Sequence, residues 1–182
     1  MSRQSQSFSV PEIIDKDRLK DILCRVWMRH DALWFSYCLQ EGGIEMTNRL
    51  NQAAVRGFAA YEARQLPKLA GLKDGPNNFA ELEIFIRHMF GTMAAASFMD
   101  VAIEFQEDMR IKISWNKCFA FEGVARLGVI EEYECGVFTR VEAWFDSWHL
   151  KWQVAPRVKG CMFHQQGCCF REYEFTFNNL KD

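Results

Sequence analysis

Cysteine is the residue type in this chain whose number and spacing could support chemistry. Five of the seven cysteines follow residue 117. A thiolate is a nucleophile and a soft metal ligand, so the two chemistries to consider are metal binding and thiol catalysis. The alternative is structural, because free cysteine is among the most buried residue types and packs as a small hydrophobe. The five cysteines are Cys118, Cys135, Cys161, Cys168 and Cys169.

A Cys-x-x-His pair indicates a candidate metal site near the C-terminal end. Two residues separate Cys161 from His164, and the Cys168–Cys169 pair follows closely. Thiolate sulfur and imidazole nitrogen suit tetrahedral Zn²⁺, and this spacing is found between zinc ligands. The same segment could instead be a hairpin loop with buried thiols. The candidate zinc ligands are Cys118, Cys135, Cys161, His164, Cys168 and Cys169.

Thiol catalysis is the second chemistry, with Cys135 as the first candidate nucleophile and Cys118 as the next. Cys135 precedes a predicted helix, and a helix N-terminus lowers the pKa of a thiol. Three nearby glutamates oppose this effect, because negative charge disfavours the thiolate. The nucleophile also needs a base within hydrogen-bond reach, for which His164 comes first and His149 second. The sequence contains no glycine-rich phosphate loop, His-Glu-x-x-His or Gly-x-Ser-x-Gly motif.

The first half of the chain has the apolar spacing of helices. From Leu19, apolar residues recur every three to four positions up to Gly42–Gly43, which predicts a helix that ends at the two glycines. A second helix is predicted over 46–61, and a third begins at Asn78 with the pattern of a capping box. We interpret the aromatic and methionine stripes of these helices as core, and His30 as a hydrogen-bonded residue within it.

The second half has the alternation of strands. Apolar and polar residues alternate over 98–116, in phase on both sides of Glu107–Asp108, which predicts an antiparallel hairpin with its turn there. Helical spacing then returns, and two further alternating segments follow. The remaining elements are a helix over 119–127, a longer helix that includes 137–148, and strands over 150–158 and 169–177.

These elements predict an α+β fold class, with a helical N-terminal half packed on a four-stranded antiparallel sheet with a crossing helix. We expect one compact domain. It consists of a disordered tail over 1–11, a helical half over 12–94 and an α+β sheet half over 95–182.

The charge and hydropathy of the chain exclude several classes of protein. Lys and Arg number 22 against 24 Asp and Glu, for a net charge of -2, so the basic excess of a nucleic-acid binder is missing. No segment approaches the roughly 18 apolar residues of a spanning helix, and the N-terminus lacks a secretory apolar core. We therefore expect no membrane partner and a cytoplasmic location with reduced thiols. The aromatic content of 14% and the long first helix favour a C2 homodimer.

Several short segments occur in a fixed order between roughly residues 30 and 177. They are Leu33-Trp34-Phe35, Gly42-Gly43-Ile44-Glu45, Gln65-Leu66-Pro67-Lys68-Leu69, Asn116-Lys117-Cys118, Leu127-Gly128, Cys135, Pro156-Arg157-Val158 and Cys169-x-x-x-Tyr173-x-Phe175. Together they resemble a bacterial and archaeal domain family of unknown function related to the 2-aminothiazoline-4-carboxylate hydrolases.

The resemblance implies that Cys118 and Cys135 match two cysteines of the hydrolases, which open a small heterocycle. It also implies an acidic residue three positions after the second cysteine, where this chain has Phe138. A further likeness is to the small-molecule-binding domain related to the 4-vinyl reductases, a ligand or metal sensor. Two hypotheses follow. The first is a small-molecule or metal-binding module with a cysteine-rich site, and the alternative is a thiol- or metal-dependent hydrolase of a small heterocyclic or amide-like substrate.

Overall fold

The computed structural model describes residues 15–72, 75–95 and 97–177, and it confirms the α+β fold class. The predicted tail over 1–11 lies outside the described residues. No helix among them is long and apolar enough to cross a membrane. In chain order the elements are α1 (Lys16–Gln65), a 3₁₀ helix (Pro67–Ala70), α2 (Phe79–Met93), β1 (Asp100–Gln106), β2 (Arg110–Lys117), α3 (Phe119–Arg126), α4 (Gly136–Ser147), β3 (Lys151–Ala155), α5 (Met162–Gln166) and β4 (Phe170–Thr176).

Helix α1 reverses direction at Gly43, so it forms two antiparallel arms. Gly43 has φ 70° and ψ 179°, a left-handed φ that glycine adopts without a Cβ clash. The rings of Trp27 and Phe58 lie 5.0 Å apart across the reversal. In a straight helix, residues with that separation in sequence would lie about 46 Å apart. The prediction that the first helix ends at the glycine pair is therefore confirmed.

The two arms of α1 differ in burial, and here our interpretation of the first stripe as core is wrong. Thr47, Ala59 and Glu62 of the second arm are buried, and this arm packs on α4. No residue of 16–42 in the first arm is fully buried. His30 is exposed as well, and it accepts a hydrogen bond from Trp34 Nε1 at 3.2 Å. The second arm occupies the place next to the sheet half, which leaves much of the first arm's apolar face in contact with solvent.

The sheet has the strand order β1-β2-β4-β3, with every neighbouring pair antiparallel. The predicted hairpin is confirmed, with Ile103 opposite Ile113 and Glu104 opposite Lys112. Strand β3 is shorter than predicted and ends just before Pro156, because proline has no N–H for the ladder. Helices α2 and α4 supply the other side of the core. Its largest fully buried side chains include Phe85, Trp144, Phe145, Tyr173 and Phe175.

Four cysteines lie where secondary-structure elements begin. Cys118, Cys135 and Cys161 are the residues that directly precede α3, α4 and α5. Cys169 directly precedes β4, and its carbonyl oxygen accepts a hydrogen bond from the backbone N–H of Trp115 at 2.8 Å. Helix α5 corrects our expectation of a plain hairpin loop over 161–169. The element ends therefore place four thiols at one end of the sheet.

Candidate functional site

Four of the predicted site residues line one small internal cavity, which we call the thiol cavity. Its volume is about 10 Å³, close to the space that one water molecule needs. Cys118, Cys161 and Cys169 are each buried, and Cys135 is partly buried. The other side chains around the cavity include Trp115, Tyr133, Phe138, Met162 and Arg171.

The two other predicted ligands lie away from this cavity. Cys168 is exposed and does not line it. His164 is also absent from the cavity wall, and its Nε2 lies 2.8 Å from a carboxylate oxygen of Glu131. The structure thus brings together Cys118, Cys135, Cys161 and Cys169 of the six candidate zinc ligands. Among the described residues, no group of three or more His, Cys, Asp or Glu side chains is placed to hold a metal ion.

Burial disfavours the thiolate form of three cysteines of the thiol cavity, namely Cys118, Cys135 and Cys169. Burial raises the pKa of Cys118 to about 11 and the pKa of Cys169 to about 12. Burial also raises the pKa of Cys135, although the backbone N–H groups of Phe138 and Val137 act in the opposite direction. The helix N-terminus at Cys135 therefore does not produce the thiolate that we considered from the sequence, because desolvation outweighs it.

An open groove lies on the outer side of the same residues. Its volume is about 450 Å³, and we refer to it as the groove. Cys135, Phe138 and Arg171 line both the groove and the thiol cavity, so these three side chains form the wall between them. The groove is also lined by Gln52, Glu134, Thr139, Glu142, Trp152, Val154, Arg157, Val158, Lys159 and Gly160.

Arg171 is the most unusual residue of this wall, because it is charged and only 4% exposed. Its Nη1 donates to the carbonyl oxygen of Phe170 at 2.8 Å and to Met162 Sδ at 3.3 Å. Its guanidinium carbon lies 4.6 Å from the centre of the Phe138 ring. Among the described residues, no carboxylate oxygen lies within 4 Å of the Arg171 nitrogens. A buried charge normally has such a direct partner; here the nearest acidic influence is Glu142, where the Arg171 charge partly offsets the rise in pKa that burial causes.

Two further polar side chains beside the wall have fewer hydrogen bonds than they can form. Glu142 is half-buried in the groove, where burial raises its pKa and the Tyr173 hydroxyl donates to it at 3.3 Å. Trp115 lines the thiol cavity, and in the described parts of the chain its Nε1 is the one side-chain nitrogen or oxygen that has neither solvent contact nor a hydrogen-bond partner. Buried donors in native proteins are nearly always paired, so an orphan donor marks a place where a partner fits.

Sequence reasoning did not single out Arg171. In the sequence, Arg171 alternates with Tyr173 and Phe175 along the last predicted strand, and all three are buried in the structure. The available signal was a cationic residue on the core side of an aromatic strand, where a charge is rarely buried without a partner. The resemblance pointed to the position of Phe138, and the structure places the Phe138 ring against the Arg171 guanidinium.

The chain was also compared with known proteins. No family model, no curated protein and no solved structure matches it.

Proposed function

We propose that the protein is a small-molecule-binding module whose ligand sits in the groove, next to the cysteine-rich thiol cavity. The observation that carries this proposal is the wall of Cys135, Phe138 and Arg171 that the groove shares with the thiol cavity. A volume of about 450 Å³ suits a small organic molecule, since ligand pockets usually measure about 300–1,000 Å³. Apolar rings and a few convergent polar groups are the usual make-up of such sites.

The raised pKa of two thiols supports ligand binding better than it supports catalysis. The alternative, a thiol- or metal-dependent hydrolase of a small heterocyclic or amide-like substrate, needs a thiolate or an activated water. The raised pKa of Cys135 and Cys118 disfavours the thiolate at neutral pH. His164, our candidate base, is engaged by Glu131 and does not line the cavity.

Zinc is a second candidate ligand, at the thiol cavity, and the four thiols around this cavity are the observation that favours it, although they would have to move closer together to hold the ion. Such a site would use Cys118, Cys135, Cys161 and Cys169, because thiolate sulfur is a preferred zinc donor. Elemental analysis of protein purified under reducing, anaerobic conditions tests this candidate. A zinc content near one per chain that is lost in Cys161→Ser would support it, and metal-free protein with the same melting temperature as Cys161→Ser would remove it.

We also propose that the protein is a homodimer in which a second copy covers the outer face of the first arm of α1. Six large apolar side chains there are each at least 42% exposed. At about 100° per residue they fall within a sector of about 120°, so they form one stripe. Together they expose on the order of 700 Å², close to the area per partner of a standard interface, which is about 800 Å². They are Ile22, Leu23, Val26, Leu33, Trp34 and Tyr37.

The binding proposal can be tested with fluorine NMR on protein whose six tryptophans carry a 5-fluoro label. Trp152 lines the groove, whereas Trp34 lies on the exposed face of α1. We expect the neutral probe benzamide to shift the Trp152 resonance, assigned with Trp152→Phe, before it shifts that of Trp34. A titration in which Trp152 does not respond, or responds only together with Trp34, would contradict binding in the groove.

A further inference from the structure

The groove contains a buried positive charge that forms no direct ion pair with a carboxylate of the described residues, although Glu142 lies within its field. Arg171 is 4% exposed, and its Nη1 is the nitrogen that donates to protein acceptors, namely Phe170 O and Met162 Sδ. Its Nε and Nη2 have no protein acceptor among the described residues. An ionised group this buried is costly unless it is paired and hydrogen-bonded. The free donors of Arg171 can therefore take as a direct partner an anion that enters from the groove.

The free donors of Arg171 fit one kind of anion well. Nε and one Nη of a guanidinium form a planar fork that matches two oxygens of a carboxylate. The Phe138 ring packs against the guanidinium, and a ligand oxygen pair in the plane of the guanidinium can be bound at both atoms. Apolar surface for the rest of the ligand comes from Trp152, Val154 and Val158.

The other charges of the groove favour a single negative charge over two. Arg157 and Lys159 line it and add positive potential, while Glu134 and Glu142 line it and subtract from that potential. The groove thus has three cationic side chains and two acidic ones, for a formal balance of one positive charge. A dianion such as a phosphate monoester would face both carboxylates with only one buried arginine to hold it.

We infer that the ligand of the groove is a small organic monoanion, a carboxylate whose two oxygens bind Nε and Nη2 of Arg171 while its apolar part packs against Trp152. This assignment rests on the proposed function, because it names the class of molecule that the same groove takes. Arg171 sets the selectivity for charge, and the aromatic and aliphatic side chains accept the remainder of the ligand.

The test compares benzoate with benzamide, which has nearly the same shape and no charge, in the fluorine NMR titration of Trp152. We expect benzoate to bind at least tenfold more tightly than benzamide and more tightly than phenyl phosphate. In Arg171→Met the preference for benzoate over benzamide disappears. In the matched control Arg157→Met it falls by less than about threefold, because the charge removed is more exposed and is screened by solvent.

The outcomes separate this inference from the proposed function. Equal binding of benzoate and benzamide would overturn the anion assignment and leave a neutral binding groove. Tighter binding of phenyl phosphate than of benzoate would overturn the monoanion assignment. An absence of binding by all three probes would overturn both proposals. If Arg171→Met does not fold, Arg171→Lys keeps the charge and loses the fork, and a benzoate preference that stays unchanged in this variant would contradict binding through the fork.

Discussion

The guanidinium of Arg171 lies 4.6 Å from the centre of the Phe138 ring, and both side chains are almost completely buried. An acidic residue at position 138 would neutralise the arginine from within the protein. Phenylalanine instead holds the guanidinium through the negative face of its ring and leaves the charge available. The identity of this one residue therefore decides whether the groove has a vacant cationic partner.

Replacing Phe138 by Glu should close the anion site from inside. The new carboxylate would pair with Arg171, so benzoate should no longer raise the melting temperature of the protein. The control Phe138→Leu removes the ring and leaves the charge, so it should keep more than half of the benzoate effect. Thermal melts with and without benzoate measure both variants, and an undiminished benzoate effect in Phe138→Glu would contradict the role given to Arg171.

Thiol reactivity should separate the exposed cysteine from those of the thiol cavity. At neutral pH we expect Ellman's reagent to react first with Cys168, because it is the exposed cysteine, and slowly with Cys118, Cys161 and Cys169, which are buried. In Cys168→Ser the fast phase should disappear, and all remaining thiols should titrate after unfolding. A fast phase that persists in this variant and maps to Cys135 would mean that Cys135 is an activated thiolate after all.

The raised pKa of Cys118 predicts loss of stability in alkali. Its pKa is about 11 in the folded protein against 9.0 for the free thiol, so the unfolded chain loses its proton first. The contribution of this thiol to the free energy of unfolding is complete below about pH 9 and falls as the pH rises towards 11. The loss at pH 11 is on the order of 2 kcal/mol. Urea unfolding from pH 8 to 11 should show a smaller decline for Cys118→Ala than for the wild type. Parallel declines would show that Cys118 is not the cause.

The buried carboxylate of Glu62 should be essential for packing α1 against α4. It accepts hydrogen bonds from Arg140 Nε at 2.8 Å and from Trp144 Nε1 at 2.9 Å. Glu62→Ala leaves a largely buried guanidinium and an indole N–H unpaired, so the free energy of unfolding should fall by about 3 kcal/mol. Glu62→Gln keeps an acceptor and should cost clearly less. If urea denaturation finds Glu62→Ala and Glu62→Gln equally stable, the result would argue against this role of the Glu62 carboxylate.

Self-association should depend on the exposed face of α1. Sedimentation equilibrium should give about twice the chain mass of 21.3 kDa for the wild type. The double variant Leu23→Glu/Trp34→Glu places two charges in the stripe and should be monomeric, whereas Leu127→Glu, at an exposed residue outside α1, should remain dimeric. A wild-type protein that stays at the mass of one chain over a wide concentration range would exclude the dimer.

Local patterns predicted the elements well because each has a signal of its own. Alternation identified the β1–β2 hairpin, and Asn78 caps α2 by accepting from the backbone N–H of Glu81 at 2.9 Å, as the sequence indicates. The first arm of α1 was misjudged because periodicity reports that a face is apolar and not what covers it. Arg171 was missed for a related reason: alternation places a side chain on the inner face, and only the packing reveals that no carboxylate of the described residues forms an ion pair with it.

The sequence predicted only in part that four cysteines would line one cavity. Their positions at the starts of α3, α4, α5 and β4 are local features, but their shared cavity depends on how these elements pack. His164 has the spacing of a ligand relative to Cys161, yet a short helix directs it to Glu131 instead. Spacing along the chain thus identified the candidate ligands, and tertiary packing determined which of them lie together.

A crystal structure of the protein with 4-bromobenzoate tests the central claim most directly, because bromine can be located by its anomalous scattering. We predict that the ring lies in the groove beside Trp152 and that both carboxylate oxygens lie about 2.8 Å from Nε and Nη2 of Arg171. Bromine found only outside the groove, or a carboxylate bound to Arg157 or Lys159 at the rim with Arg171 left unpaired, would contradict the account.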